Sequence, residues 1–126
     1  NLGISGNTNA ALEMAEGDFV VLADHDDRLT PNALFECAKK LNENENCDVL
    51  YSDEDKLDMD GDELFDPHFK PDFNPDLLTS VNYICHLFVV KKELLDKITQ
   101  TSELAFSIGV TEKELTEAVL VAEGRA

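Results

Sequence analysis

GDFVVLADHDDRLTP, residues 17–31, is the stretch whose reading decides the fold. From Asp18 to Ala23 (DFVVLA) the chain is a continuous apolar run, with none of the polar alternation of a half-solvated strand. Such runs suit a strand covered on both faces, as in a parallel sheet. The strand ends in Asp24-His25-Asp26-Asp27. Thr30 can then cap a helix that has Pro31 in its first turn, where a missing N–H costs nothing. Leu34, Phe35, Ala38 and Leu41 recur at helical spacing and are expected to mark the buried face of that helix.

Working outward, Asn42 to Asn46 is a polar break, and Asp48 to Ser52 (DVLYS) reads as a second short strand, followed by Asp53-Glu54-Asp55. Strand, helix, strand is a βαβ unit with a right-handed crossover. Upstream, Asn1 to Gly6 reads as a loop, and Asn7 can cap a short helix through Ala10, Ala11, Leu12 and Ala15 that stops at Gly17. Downstream, Asp60-Gly61 is a hairpin-turn signal inside Lys56 to Phe65. Pro67, Pro71 and Pro75 punctuate a non-helical stretch, and Asn74-Pro75 can start a short helix through Leu78. Tyr83 to Val90 (YICHLFVV) reads as a third strand and Lys91 to Ile98 as a helix. Beyond Gln100, Thr111 and Glu114 form a capping-box pattern ahead of an apolar stripe of Leu115, Ala118, Val119 and Ala122.

The chain has 126 residues, one domain's worth, and 43% of them are apolar, so a packed core is expected and disorder is not. Its formal net charge is −17. That charge repels phosphate backbones and anionic lipid, which argues against a nucleic-acid or membrane-surface binder. It also favours a bound cation, because clustered carboxylates are costly without one. Cys37, Cys47 and Cys85 are widely spaced and lack a C-x-x-C pair, which fits reduced thiols in a cytoplasmic protein. No apolar run reaches the roughly 18 residues of a membrane span.

The acidic cluster after the first strand carries the chemistry. In open α/β sheets ligands bind outside the carboxyl ends of the strands, and Asp24, Asp26 and Asp27 stand at such an end. Carboxylates there can hold Mg²⁺ or Mn²⁺, which neutralises a diphosphate as it leaves. The bland alternative is a solvated loop in which Asp27 or Thr30 caps the next helix. His25 reads as a loop histidine, His86 as a core or edge histidine, and Tyr51 and Tyr83 as packing residues. Asp53, Glu54 and Asp55 stand at a second strand end, where they can meet an acceptor or simply be exposed.

The order of these motifs resembles the family 2 glycosyltransferases. The resemblance rests on Gly3-x-x-Gly6-Asn7-x-Asn9, on Gly17 to Pro31 with Asp24-His25-Asp26 as a DXD motif, on VLYSDEDK (49–56), on FKPDFNPDLL (69–78) and on NYICHLFVVKKELL (82–95). The later pieces are similar to the subgroup that builds rhamnan and other bacterial surface polysaccharides. The resemblance implies a GT-A-type α/β fold, a mostly parallel sheet flanked by helices. It implies transfer of sugar from a nucleotide-diphospho-sugar donor to a glycan or lipid-linked acceptor, by inversion, in the cytoplasm or at the inner face of the membrane. Carried over residue by residue, Asp24 faces the ribose or the metal, and Asp26 holds the Mg²⁺ or Mn²⁺ with Asp24 as its partner ligand. Asp27 helps bind the substrate, and Gly6, Asn7 and Asn9 approach the donor. Asp53 and Asp55 are further substrate-binding candidates by their place at a strand end. Asn7 stands where the family often carries Arg.

The resemblance covers residues 1–98, read as part of a GT-A domain; 99–126 reads as a helical tail of uncertain origin. The chain does not begin with Met. The family's first strand, with its nucleotide-binding Asp, is expected before Asn1, and the motif that supplies the catalytic base is not recognisable after Ile98. A sheet edge left open in this way favours a homodimer. Two other classes stay open: a scaffold domain that kept the fold and lost the chemistry, and a cation-binding module. Asp58, Asp60 and Gly61 resemble the middle of an EF-hand loop, but that register puts Lys56 first and Pro67 twelfth, where acidic ligands are required. The purified chain alone is expected to transfer little or no sugar; a donor-dependent transfer product in a radiolabelled-sugar assay would overturn this.

Overall fold

The structure, a computed structural model, describes residues 3–101. In chain order these form α1 (Gly3–Glu13), β1 (Phe19–Leu22), α2 (Ala33–Glu43), β2 (Val49–Tyr51), β3 (Glu54–Leu57), β4 (Leu64–His68), α3 (Pro75–Leu78), β5 (Phe88–Lys91) and α4 (Lys92–Thr101). The capping box at Thr111 and the stripe after it lie outside the described residues.

β5 organises the fold. It lies between β1 and β2 and pairs antiparallel with both. β1 and β2 therefore run parallel to each other, as a βαβ crossover requires, but they are not neighbours. The described sheet thus differs from the mostly parallel one expected: every hydrogen-bonded pair in it is antiparallel. The reason is burial. Phe88, Val89 and Val90 are all buried, Val89 to 1% exposure, so this segment belongs where both faces and both edges are covered. The apolar run of β1 is only partly covered, with Val21 exposed. Main-chain bonds from Lys91 to Asp48 and from Lys92 to Asp18, both 2.8 Å, close the ladders on either side.

The core is built on β5 and its flanks. Leu78, Tyr83, Ile84, Phe88, Val90, Leu94 and Leu95 form one cluster, against which Leu12, Val20, Leu22, Val49 and Tyr51 pack. The short helix α3 forms as its sequence dictates: Asn74 Oδ1 accepts from the Leu77 N–H at 3.0 Å, Pro75 opens the helix, and Leu78 is fully buried. Tyr83 and Ile84 are buried in the segment ahead of β5, not within a ladder. The Asn74 N–H donates to the Tyr83 hydroxyl at 2.7 Å. The ring of Tyr83 meets Tyr51 edge-on, with centroids 5.8 Å apart. Burial, with Tyr83 beside it, pushes the Tyr51 phenol up to about 12. Both tyrosines are packing residues, as expected.

Three local readings change. α1 already includes Gly3 to Gly6, expected as loop; the contact of Leu12 with the core outweighs the weak propensity of the polar start. α2 begins at Ala33, after a turn closed by the Ala33 N–H on the Thr30 carbonyl, so Thr30 and Pro31 precede the helix. The apolar stripe of α2 is not buried among the described residues: Phe35 is 68% exposed, Leu34 is exposed as well, and only Cys37 is inside. The hairpin β3–β4 turns at Gly61 as Asp60-Gly61 signalled, with φ +79°. Asp58 Oδ1 accepts from the N–H groups of Asp62 (2.7 Å) and Glu63 (3.0 Å). That carboxylate serves the turn.

Truncating Leu78 to Ala removes a fully enclosed side chain and is expected to cost about 2–5 kcal/mol, whereas Phe35→Ala is expected within about 0.5 kcal/mol. Urea unfolding followed by circular dichroism checks both.

Candidate functional site

The strand register assembles the site. Leu22 pairs with Phe88 and Tyr51 pairs with Phe88 from the other side. Two residues past the end of β1, Asp24 lies beside His86, and on the β2 side Glu54 reaches the His86 main chain. The carboxyl ends of β1 and β2 thus meet at the start of β5, where an α/β sheet presents its ligand site.

The acidic run after β1 is folded by a turn in which the Asp27 N–H bonds to the Asp24 carbonyl at 3.3 Å. A turn closed three residues apart brings its first and last side chains together and leaves the middle two outside. Asp24 and Asp27 accordingly converge with His86: one ligand atom from each lies within 4.8 Å of the others. His25 and Asp26, the middle pair, stand in solvent; the Asp26 side chain is 77% exposed and its carboxylate lies 4.0 Å from the His25 ring. The structure therefore groups Asp24 with Asp27 and His86, and not with Asp26.

His86 Nδ1 is 2.8 Å from Asp24 Oδ2 and 3.7 Å from Asp27 Oδ2. A carboxylate only accepts, so Nδ1 carries the proton of the shorter bond. That bond holds the imidazole above its ordinary value of 6.5, against partial burial and with help from Glu54 and Asp27. His86 is exposed, not the core or edge residue expected from its apolar neighbours.

Behind His86 lies a second layer of charge. Glu54 Oε2 accepts from the main-chain N–H of His86 at 3.0 Å and from Lys70 Nζ at 3.1 Å, while Oε1 lies 3.4 Å from the His68 ring. Partial burial would raise the Glu54 carboxyl, but these bonds outweigh it and hold the group below its ordinary value. The Lys70 side chain is 1% exposed, and its ammonium also donates to the Cys85 carbonyl. The Lys70 N–H donates to Asp53 Oδ1 at 2.8 Å.

Of the other expected site residues, Asp53 is therefore engaged within the protein, and Asp55 is exposed on β3. Gly6, Asn7 and Asn9 lie on α1, where Asn9 Oδ1 is buried without a hydrogen-bond partner among the described residues. Lys70 is the part that sequence reasoning passes over; that reasoning makes His86 a core or edge residue, and Glu54 only one of an acidic trio at a strand end. The available signal was that His86 is the one residue of YICHLFVV that can carry a positive charge or ligate a metal through nitrogen.

Two carboxylates and an imidazole form a donor set that fits a divalent cation such as Mn²⁺. The proton shared by His86 and Asp24 competes with that cation, so metal binding would displace it. Because the fold raises the His86 pKa, the pair stabilises the protein fully below pH 6.5 and progressively less as pH rises through the raised value. Asp24→Asn is expected to move the His86 midpoint down toward 6.5, as read from its ring resonances by NMR titration.

Comparison with known proteins shows the family. Residues 1–99 match the family described as glycosyl transferase family 2. The chain is 40% identical over 95 residues to the uncharacterized protein y4gI of Sinorhizobium fredii, covering 75% of this chain and 10% of that protein. It is 42% identical over 91 residues to the O-antigen biosynthesis protein RfbC of Myxococcus xanthus, covering 72% of this chain and 7% of that protein. The chain thus spans a tenth or less of the length of these curated relatives. The family match takes in every strand described above and both sides of the acidic site, and the chain accordingly belongs to glycosyl transferase family 2, with the GT-A-type α/β fold that its motifs imply.

Proposed function

We propose that this chain forms the donor-diphosphate and cation site of an inverting, metal-dependent glycosyltransferase. In this reading, sugar passes from a nucleotide-diphospho-sugar to a glycan or lipid-linked acceptor in cell-surface polysaccharide synthesis. The observation that carries the proposal is the convergence of Asp24, Asp27 and His86 at the joined carboxyl ends of β1 and β2. The O-antigen biosynthesis relative supports the polysaccharide context.

Asp24, Asp27 and His86 would hold Mg²⁺ or Mn²⁺, and Mn²⁺ suits the mixed oxygen and nitrogen set better than Mg²⁺. The bound ion supplies charge neutralisation for a departing diphosphate. Asp26 stays at the solvent side of the turn, placed for the donor and not for the ion. The exposed Asp55 can accept hydrogen bonds from acceptor hydroxyls, whereas Asp53 shapes its loop through Lys70. Gly6, Asn7 and Asn9 present the α1 side of the donor site. Inversion needs a base to take the acceptor proton as the new glycosidic bond forms; we assign it to no described residue. In this reading residues 1–98 carry the site. Three free cysteines fit a reducing, cytoplasmic setting at the inner face of the membrane. Among the described residues no helix is long and apolar enough to cross a membrane.

Calorimetric titration of Mn²⁺ with a nucleoside diphosphate tests the proposal. Asp24→Asn, Asp27→Asn and His86→Gln are each expected to weaken binding by about tenfold or more, equal to roughly 1.4 kcal/mol. Asp26→Ala is expected to change it little. Affinity should rise with pH through the His86 titration, because the ion competes with the proton. Loss of binding in Asp26→Ala alone would instead restore the Asp24–Asp26 pair as the ligands.

A further inference from the structure

Arg28 is the only arginine among the described residues, and its setting differs from that of the lysines. All the described lysines but Lys39 pair with a carboxylate. Arg28 directly follows Asp26 and Asp27, in a chain with 27 acidic residues. Its exposed guanidinium nevertheless pairs with no carboxylate among the described residues. Instead Nη1 donates to the Gly61 carbonyl at 3.5 Å, on the turn of the β3–β4 hairpin. A bond of that length to a neutral acceptor is a weak one, and it uses one of five donors. Gly61 makes the seat: a Cβ there would stand 3.2 Å from Nη2 and 3.5 Å from Nη1. The hairpin so touched borders the cation site at its other end, where Glu54 of β3 accepts from the His86 N–H. Arg28 itself is the next residue after Asp27, one of the three converging donors. Its charge is thus held loosely beside the site, outside any ion pair.

We propose that Arg28 binds a phosphate group of the donor: its guanidinium leaves the Gly61 carbonyl for the diphosphate, beside the cation, when the donor binds. The proposal deepens the donor-site reading and rests on it. A diphosphate keeps negative charge after one divalent ion has met it, and a chain of charge −17 repels that remainder. Arg28 is the positive group placed to meet it. Charge-assisted, forked guanidinium–phosphate bonds are about twice as strong as neutral ones, so the exchange favours the ligand over the turn carbonyl. A lysine at this place offers a point charge without the fork and is a poorer substitute.

The test compares wild type with Arg28→Gln, Arg28→Lys and Gly61→Asn by calorimetry. Arg28 is exposed, so its replacement does not endanger folding. Asparagine tolerates the positive φ of Gly61, and its Cβ pushes the guanidinium off the turn. Mn²⁺ is titrated alone first. Adenosine, cytidine, guanosine, thymidine and uridine diphosphates are then titrated at saturating Mn²⁺, and the tightest is carried through the variants. The expected result is that all four proteins bind Mn²⁺ alone equally. Diphosphate affinity falls about tenfold in Arg28→Gln, falls less in Arg28→Lys, and is undiminished in Gly61→Asn. Wild-type affinity in Arg28→Gln would remove Arg28 and leave the donor reading standing. A loss in Gly61→Asn equal to that in Arg28→Gln would also overturn the proposal, because Arg28 would then act by holding the hairpin. So would an equal loss for Mn²⁺ alone in Arg28→Gln, which would place the fault at the ion. A wild type that binds no diphosphate with Mn²⁺ would overturn the donor reading, and the role of Arg28 with it.

Discussion

The antiparallel placement of β5 between β1 and β2 is the constraint on which the rest depends. A strand pairs through both edges only when its main-chain groups are taken on each side, and β5 is the only described strand so placed. Its three buried residues fill the core, and its two registers then fix everything at its leading end. Asp24 reaches the His86 ring and Glu54 its main-chain N–H because Leu22 and Tyr51 both pair with Phe88. Core packing and site geometry are therefore one arrangement, and a fault in the first is a fault in the second.

Electrostatics at that end is layered. Outside, the carboxylates of Asp24 and Asp27 surround a histidine whose proton is shared with them. Inside, Glu54 meets an ammonium that is almost wholly removed from water. A chain of formal charge −17 gathers negative groups easily. The placement of its few cations carries more meaning, and Lys70 is the one that sits between strand ends. Burying an ammonium costs several kcal/mol unless it is paired and hydrogen-bonded, and here Glu54 and Cys85 take two of its three donors. Lys92 and Lys97, by contrast, make ordinary pairs with Asp96 and Glu93 along α4.

Much of the architecture was legible in the sequence because local signals were strong. The α3 helix needed only Asn74-Pro75, the hairpin needed Asp60-Gly61, and β1 and β2 declared themselves by composition. Partnership between strands was not legible. Nothing in FVVK says that it inserts between two strands that a crossover helix joins, because pairing is set by tertiary burial and not by local preference. The approach of Asp24 and Asp27 depends on a turn, whereas the sequence reading sets alternate carboxylates on an extended chain. His86 was hidden by its neighbours: Ile84, Phe88 and Val89 are buried as their types suggest, and the histidine among them is exposed only because β5 begins two residues later. The stripe on α2 was read correctly as apolar, but the described residues do not cover it.

The shared start of β5 also sorts the chain by its tolerance of insertions and deletions. Among the described residues, the loop after Asp27 and the hairpin turn at Gly61 are held together only by the hydrogen bond of Arg28 to the Gly61 carbonyl at 3.5 Å, so they can lengthen or shorten between relatives while Asp24 stays in place. The run from His86 to Lys91 has no such freedom. Removing one residue there would slip the strand against both neighbours, turn Val89 and Val90 to opposite faces and carry the histidine away from its acids. Length variation in this domain should therefore collect after Asp27 and around Gly61, and be absent from the six residues that end at Lys91.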